Sequence, residues 1–172
     1  MQTLLNILKK FIDSIGALCS VLMILMILNV FYDVLMRYFF NDVSIGMQEL
    51  EWHLFGAMFM FGIGYTFKED GHVRVDIFYD QLSEKAQAII NIIGALFFAF
   101  PFTLLILYFS LDYTAEAYKI GEGSADPGGL PYRWIIRSVI PVSSVYLLIC
   151  IFYVMLTQFQ KIIDSVETKG DK

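Results

Sequence analysis

The sequence predicts an all-α membrane protein, one domain over residues 1–172 with four transmembrane helices and both termini in the cytoplasm. Three observations lead there. The chain is 58% hydrophobic and 17% charged, with a mean hydropathy of +0.64, far from the composition of a soluble domain. Its apolar residues fall into runs that predict helices over about 12–35, 46–67, 86–111 and 134–159. Lys9, Lys10, Lys68, Arg74, Lys85, Lys161, Lys169 and Lys172 then lie on one side, against only Arg37, Lys119, Arg133 and Arg137 on the other. The side richer in Lys and Arg is the cytoplasmic one, so the loops around 37–48 and 112–133 face outward. A net charge of -5 without clustered basic residues excludes nucleic acid as a partner and leaves lipid as the bulk surroundings.

The first apolar run follows Lys9-Lys10 and carries Asn29 and Asp33 near its far end. A signal peptide has a hydrophobic region of about 7–15 residues and a small-residue cleavage site. This run is longer and lacks the site, and in Gly16-Ala17-Leu18-Cys19 the residue before the cysteine is not small. It is expected to stay as a helix. Cys19 and Cys150 both lie inside apolar runs with no second ligand nearby, and read as small packing residues.

The second run organises the chain. It opens acidic, at Glu49, Glu51, Trp52 and His53, and is uncharged over 54–67, which is too short to span a bilayer unaided. Extended back through Glu49 it spans, provided the acidic end meets the interface or protein. On a helix Glu49, His53, Gly56, Met60 and Gly64 share a stripe within about 80° of arc. The stripe is polar or mostly small, suited to helix packing and not to lipid. The third run carries Pro101 in its interior, which predicts a kink. The fourth has Arg137 and Pro141 near its start, the proline being best tolerated in a first turn.

No Asp, Glu, Lys, Arg or His occurs in 14–32, 54–67, 86–111 or 138–160. Ionisable groups inside the membrane are the usual marks of ion paths and proton relays, so the chain reads as having no transport pathway of its own. A four-helix exporter would need a deep acidic residue, and Asp33 and Glu49 both sit towards the outer edge. A haem-carrying anchor would need two facing histidines. His53 and His72 would lie roughly 28 Å apart along one helix and cannot share a haem. No cofactor, metal or catalytic group is expected.

Polar groups gather instead at the membrane edges. Asn29, Asp33 and Arg37 are spaced i, i+4, i+8, so Asp33 and Arg37 can pair, with Glu49 or His53 joining from the next helix. On the other side, Gly71-His72-Val73-Arg74-Val75-Asp76 alternates so that His72, Arg74 and Asp76 face away from the valines, as a solvated turn or an ordered clasp.

These residues resemble one family, the small membrane subunit of tripartite ATP-independent periplasmic (TRAP) transporters. The resemblance covers nearly the whole chain. It rests on Arg37-Tyr38-Phe39-Phe40, Gln48-Glu49-Leu50-Glu51-Trp52, Phe61-Gly62-Ile63-Gly64 and, most specifically, the six residues from Gly71 to Asp76. The stretch from Asp126 to Trp134 is similar to the start of the fourth helix in one branch of the family, whereas Gly46-Met47 stands where an aromatic residue is common. The resemblance implies a non-catalytic subunit in the cytoplasmic membrane of a bacterium or archaeon. Sodium and substrate, usually an organic acid, are then expected in a large membrane subunit, fed by a periplasmic binding protein. Asn29, Glu49, His53, Gly56, Met60 and Gly64 become candidates for packing on the large subunit, and Glu51, Glu122, Asp126 and Arg133 for docking the binding protein. The alternative is an independent four-helix module, such as a small exporter or assembly factor.

Overall fold

The computed structural model describes residues 2–71 and 79–170, with side chains to residue 165. It is all-helical among the described residues. The helices are α1 (Gln2–Phe39), α2 (Ile45–Lys68), α3 (Glu84–Gly94), α4 (Phe100–Lys119) and α5 (Trp134–Gly170), and a π-helical turn, Ala95–Ala99, fuses α3 to α4. Three rods are long and apolar enough to cross a membrane: Gln2–Phe39, Glu84–Lys119 and Trp134–Ser165. In the remaining one, α2, the acidic first turns dilute an otherwise apolar helix.

The helices overrun their predicted bounds. α1 has 38 residues, about 57 Å at 1.5 Å each, against a hydrocarbon core of ~30 Å. Hydropathy marks only the part that needs lipid. The rest of α1 continues because its N-terminal segment packs within the chain, burying Leu5 and Ile12. Local chemistry sets the ends. Asn41, at φ 51°, turns the chain out of α1, with the Asp42 N–H donating to the Met36 carbonyl at 3.2 Å. The Ser44 hydroxyl then caps α2 by accepting from the Met47 N–H at 3.3 Å, and Ser83 caps α3 in the same way.

The two prolines within helices are accommodated in different ways. At Pro101 the break takes the form of a π-helical turn, closed by the Phe100 N–H on the Ala95 carbonyl. The wider turn makes room for the ring, which would otherwise meet the carbonyl four residues back. Pro141 lies well inside α5 rather than in its first turn. The Arg137 carbonyl that it leaves without an intrahelical donor accepts instead from the Thr114 hydroxyl of α4, at 3.2 Å.

α5 is the common axis. It packs against α1, α2, α3 and α4, while α1 also packs along α2. A third of the apolar window of α5 is buried, 33% against 6% for α1, so α1 forms an outer wall with most of its surface free for lipid or another protein. The core is Ile12, Tyr146 and Cys150, with Ile15, Phe61, Tyr65, Leu147 and Tyr153 packed around it. Two glycines let aromatic rings lie on backbone here. A methyl at Gly16 would stand 2.5 Å from the Tyr65 ring, and one at Gly64 would collide with Tyr146. Beside this core Lys68, at the end of α2, is ion-paired to Asp13 of α1 at 2.6 Å and also to Glu69.

Candidate functional site

The polar residues singled out from the sequence gather at the end of the molecule where α1 ends and α2 and α5 begin. Glu49 is the centre of this cap. It is 6% exposed; one carboxylate oxygen accepts from the Ser124 hydroxyl and the other from the Leu130 N–H at 2.6 Å. Both donors belong to the loop between α4 and α5, so a single side chain straps that loop onto the start of α2. The approach is close enough to require glycine. A methyl at Gly129 would fall onto Ser124 and reach within 2.9 Å of Glu49, and one at Gly46 would come within 3.2 Å of the Gly128 carbonyl. Gly128 itself has φ 84°, a conformation costly for residues with a Cβ.

The loop is closed by its own backbone. Ser124 N–H donates to the Leu130 carbonyl, Gly129 N–H to Asp126, and Arg133 N–H to Glu122 at 2.8 Å. Glu122 is ion-paired to Arg137 at 2.6 Å, both side chains being largely shielded. The Arg137 guanidinium lies 4.0 Å from the centre of the Tyr113 ring. Arg133 sits over the Trp52 ring, which in turn stacks on His53 with centroids 4.0 Å apart. His53 also places Nδ1 against the Glu49 carbonyl.

Asp33 and Arg37 form the expected pair. Glu49 does not join them, because both its oxygens are occupied by the loop. Asn29 is buried and donates to the Met47 carbonyl at 2.9 Å, tying α1 to the first turn of α2. Of the stripe assigned to packing on a partner, Asn29, Glu49 and Gly64 are therefore engaged inside this chain. Gly56 and Met60 line a groove between α2 and α5, and a methyl at Gly56 would meet nothing within 4 Å. Of the docking candidates, Asp126 is exposed at the loop tip, whereas Glu51, Glu122 and Arg133 are half-buried. At the opposite end Gly71 closes α2 through its N–H on the Thr66 carbonyl at 3.0 Å. His72, Arg74 and Asp76 lie outside the described residues.

Sequence reasoning missed Gly16, Tyr146, Ser124 and Leu130. The neighbouring Gly128-Gly129 was the available signal for a close approach of backbone to another element.

Comparison with known proteins bears on the origin of this arrangement. A family profile described as "Tripartite ATP-independent periplasmic transporters, DctQ component" matches residues 26–161. The chain belongs to this family. The match takes in the cap, the groove and most of α5. Two Haemophilus influenzae proteins, each named "Putative TRAP transporter small permease protein", are similar to this TRAP small subunit. One is 26% identical over 145 residues, covering 84% of this chain and 88% of the relative. The other is 30% identical over 124 residues, covering 67% and 73%. The TRAP small subunit is thus a transporter component with at least three helices able to cross a membrane.

Proposed function

We propose that this TRAP small subunit is a non-catalytic part of a secondary transporter, bracing the large membrane subunit and presenting its cap to a periplasmic substrate-binding protein during sodium-coupled uptake of an organic acid. It crosses the inner membrane four times with both termini inside. The observation that carries this reading, beside family membership, is the disposition of the buried polar groups. Asn29, Asp33 and Glu49 each turn onto this chain's own backbone or side chains. Such groups hold a shape; they do not line a path for a solute. The strap at Glu49 also supports α2 as the fourth crossing, since a carboxylate whose oxygens are both hydrogen-bonded by a protein loop can sit at the membrane edge. The outer wall at α1 leaves ample surface for a large partner.

Co-expression with a TRAP large membrane subunit tests the assignment. The two chains are expected to purify as one complex, and vesicles holding both should take up substrate only when the binding protein is added. Uptake by the large subunit alone at an unchanged rate, or stable accumulation of the small chain without it, would favour the independent module instead.

A further inference from the structure

Between α2 and α4, with α5 as its floor, the chain leaves a groove that its own side chains do not fill. The groove has two sections that share Met60. The first, about 390 Å³, lies between Trp52 and Gly56 of α2, Tyr113 of α4, and Arg133 and Arg137 on α5 or just before it. The second, about 620 Å³, continues between Phe67 and Phe102 over Ser143 and Leu147. Ser143 and Ser144 turn their hydroxyls onto the Ile140 carbonyl, at 3.0 and 2.8 Å, so the floor presents little polarity to an occupant.

Length and charge identify what fits. From Arg133 to Leu147 the axis of α5 rises about 21 Å at 1.5 Å per residue, close to half of the ~40–45 Å of a bilayer with its headgroup regions. The groove therefore has the depth of one leaflet. Its polar end is cationic and aromatic, and Trp52 and Tyr113 are the residue types that settle at headgroup level. The two arginines there differ. Arg137 is paired with Glu122, whereas the Arg133 guanidinium lies over the Trp52 ring and makes no ion pair or side-chain hydrogen bond among the described residues. Glu49, the acid that feels the Arg133 charge, has both oxygens occupied by the loop.

We propose that this groove is a phospholipid site, with one acyl chain lying over Met60 and Leu147 and the phosphate held by the Arg133 guanidinium. A planar guanidinium matches two phosphate oxygens at once, and the pairing is strong where water is scarce. An apolar helix of the large subunit laid in the same groove would offer the Arg133 guanidinium no hydrogen-bonding anion, and Glu49 is committed to the loop. The site requires only that the Arg133 end lies at a membrane surface, on either side.

The test uses the complex with the large subunit, stripped of lipid in detergent and titrated with phosphatidylglycerol under native mass spectrometry. One lipid per small subunit is expected to bind ahead of the rest. Arg133→Gln should weaken that event about ten- to hundred-fold, the typical effect of losing a charge-assisted contact, and Arg133→Lys should weaken it less. Gly56→Leu, which fills the groove and leaves the charge in place, should weaken it too. A photoreactive benzoylphenylalanine replacing Met60 should label phospholipid. Equal binding in Arg133→Gln and Gly56→Leu would overturn the proposal, as would a Met60 adduct to the large subunit in place of lipid. Should Arg133→Gln fail to assemble, the Gly56 and Met60 variants still decide, because both leave Arg133 in place and Met60 lies where the two sections meet.

Discussion

At Gly64 and Gly56 the same residue type, on one face of α2, has opposite surroundings. Tyr146 lies against Gly64, whereas the space beside Gly56 is open. Gly64→Ala is expected to cost about 1–3 kcal/mol through overpacking, seen as a lower thermal midpoint of the detergent-solubilised chain. Gly56→Ala should hold that midpoint or raise it slightly, since alanine favours the helix over glycine by up to about 1 kcal/mol, and a matching loss would show that the groove is closed in solution. Glu49 offers a second contrast, between charge and geometry. Its two oxygens accept from Ser124 and Leu130, and a glutamine there can still accept from the Leu130 N–H while its amide donates to the serine oxygen. A leucine can do neither and leaves a shielded N–H without a partner. Limited proteolysis within 121–130 should therefore speed up markedly in Glu49→Leu and little in Glu49→Gln. Equal acceleration in both would mean that the charge, not the hydrogen bonding, holds the loop.

A proline inside one helix of this chain is compensated by its neighbour. In α5 the Arg137 carbonyl, deprived of its donor by Pro141, is satisfied by Thr114. Thr114→Val should cost about 0.5–1.5 kcal/mol, the usual net value of such a bond. Adding Pro141→Ala restores an N–H for that carbonyl within the helix, so the double variant should be more stable than the sum of the single effects. Strict additivity of the two would show that the threonine bond does not matter. This repair marks the limit of what the sequence reveals. Uncharged runs located the helices, and the acidic start of α2 marked the cap, because both depend on what water and lipid accept locally. The core was not legible in the same way. Lipid tails are as apolar as a leucine side chain, so the buried Ile12 and the exposed Ile24 look alike in sequence. Glycine was the better guide: Gly64, expected to pack on the large subunit, has the Tyr146 ring of its own chain against it. The pairing of Glu49 with residues 75 and 81 positions later is purely tertiary, and the nearer Asp33 and Arg37 were its only candidates on local grounds.

On the scale of the whole molecule, α5 carries the other helices and the cap seals one end, with Asp126 exposed at the tip of its loop. The orientation proposed for the chain places this tip outside. A cysteine at Ala125, which is exposed and makes no side-chain hydrogen bond of the kind Ser124 makes, should react with an impermeant reagent in intact spheroplasts. Labelling only after lysis would reverse the orientation. Docking can then be tested with two charge reversals that look equivalent in sequence and are not in the structure. Glu122 is paired with Arg137 and largely shielded, so Glu122→Lys places two cations together and is expected to lower the yield of the complex before any transport is measured. Asp126 is exposed, and Asp126→Lys should leave assembly intact. Exposed charges at the rim of an interface steer encounter more than they add affinity. Uptake by Asp126→Lys vesicles should thus fall at limiting binding protein and recover at saturation. The defect should be larger at low salt, because such charges are screened beyond a Debye length of about 8–10 Å at physiological ionic strength. Transport equal to the unaltered complex at every binding-protein concentration and salt would mean that the tip takes no part in docking, and that the large subunit alone receives the binding protein.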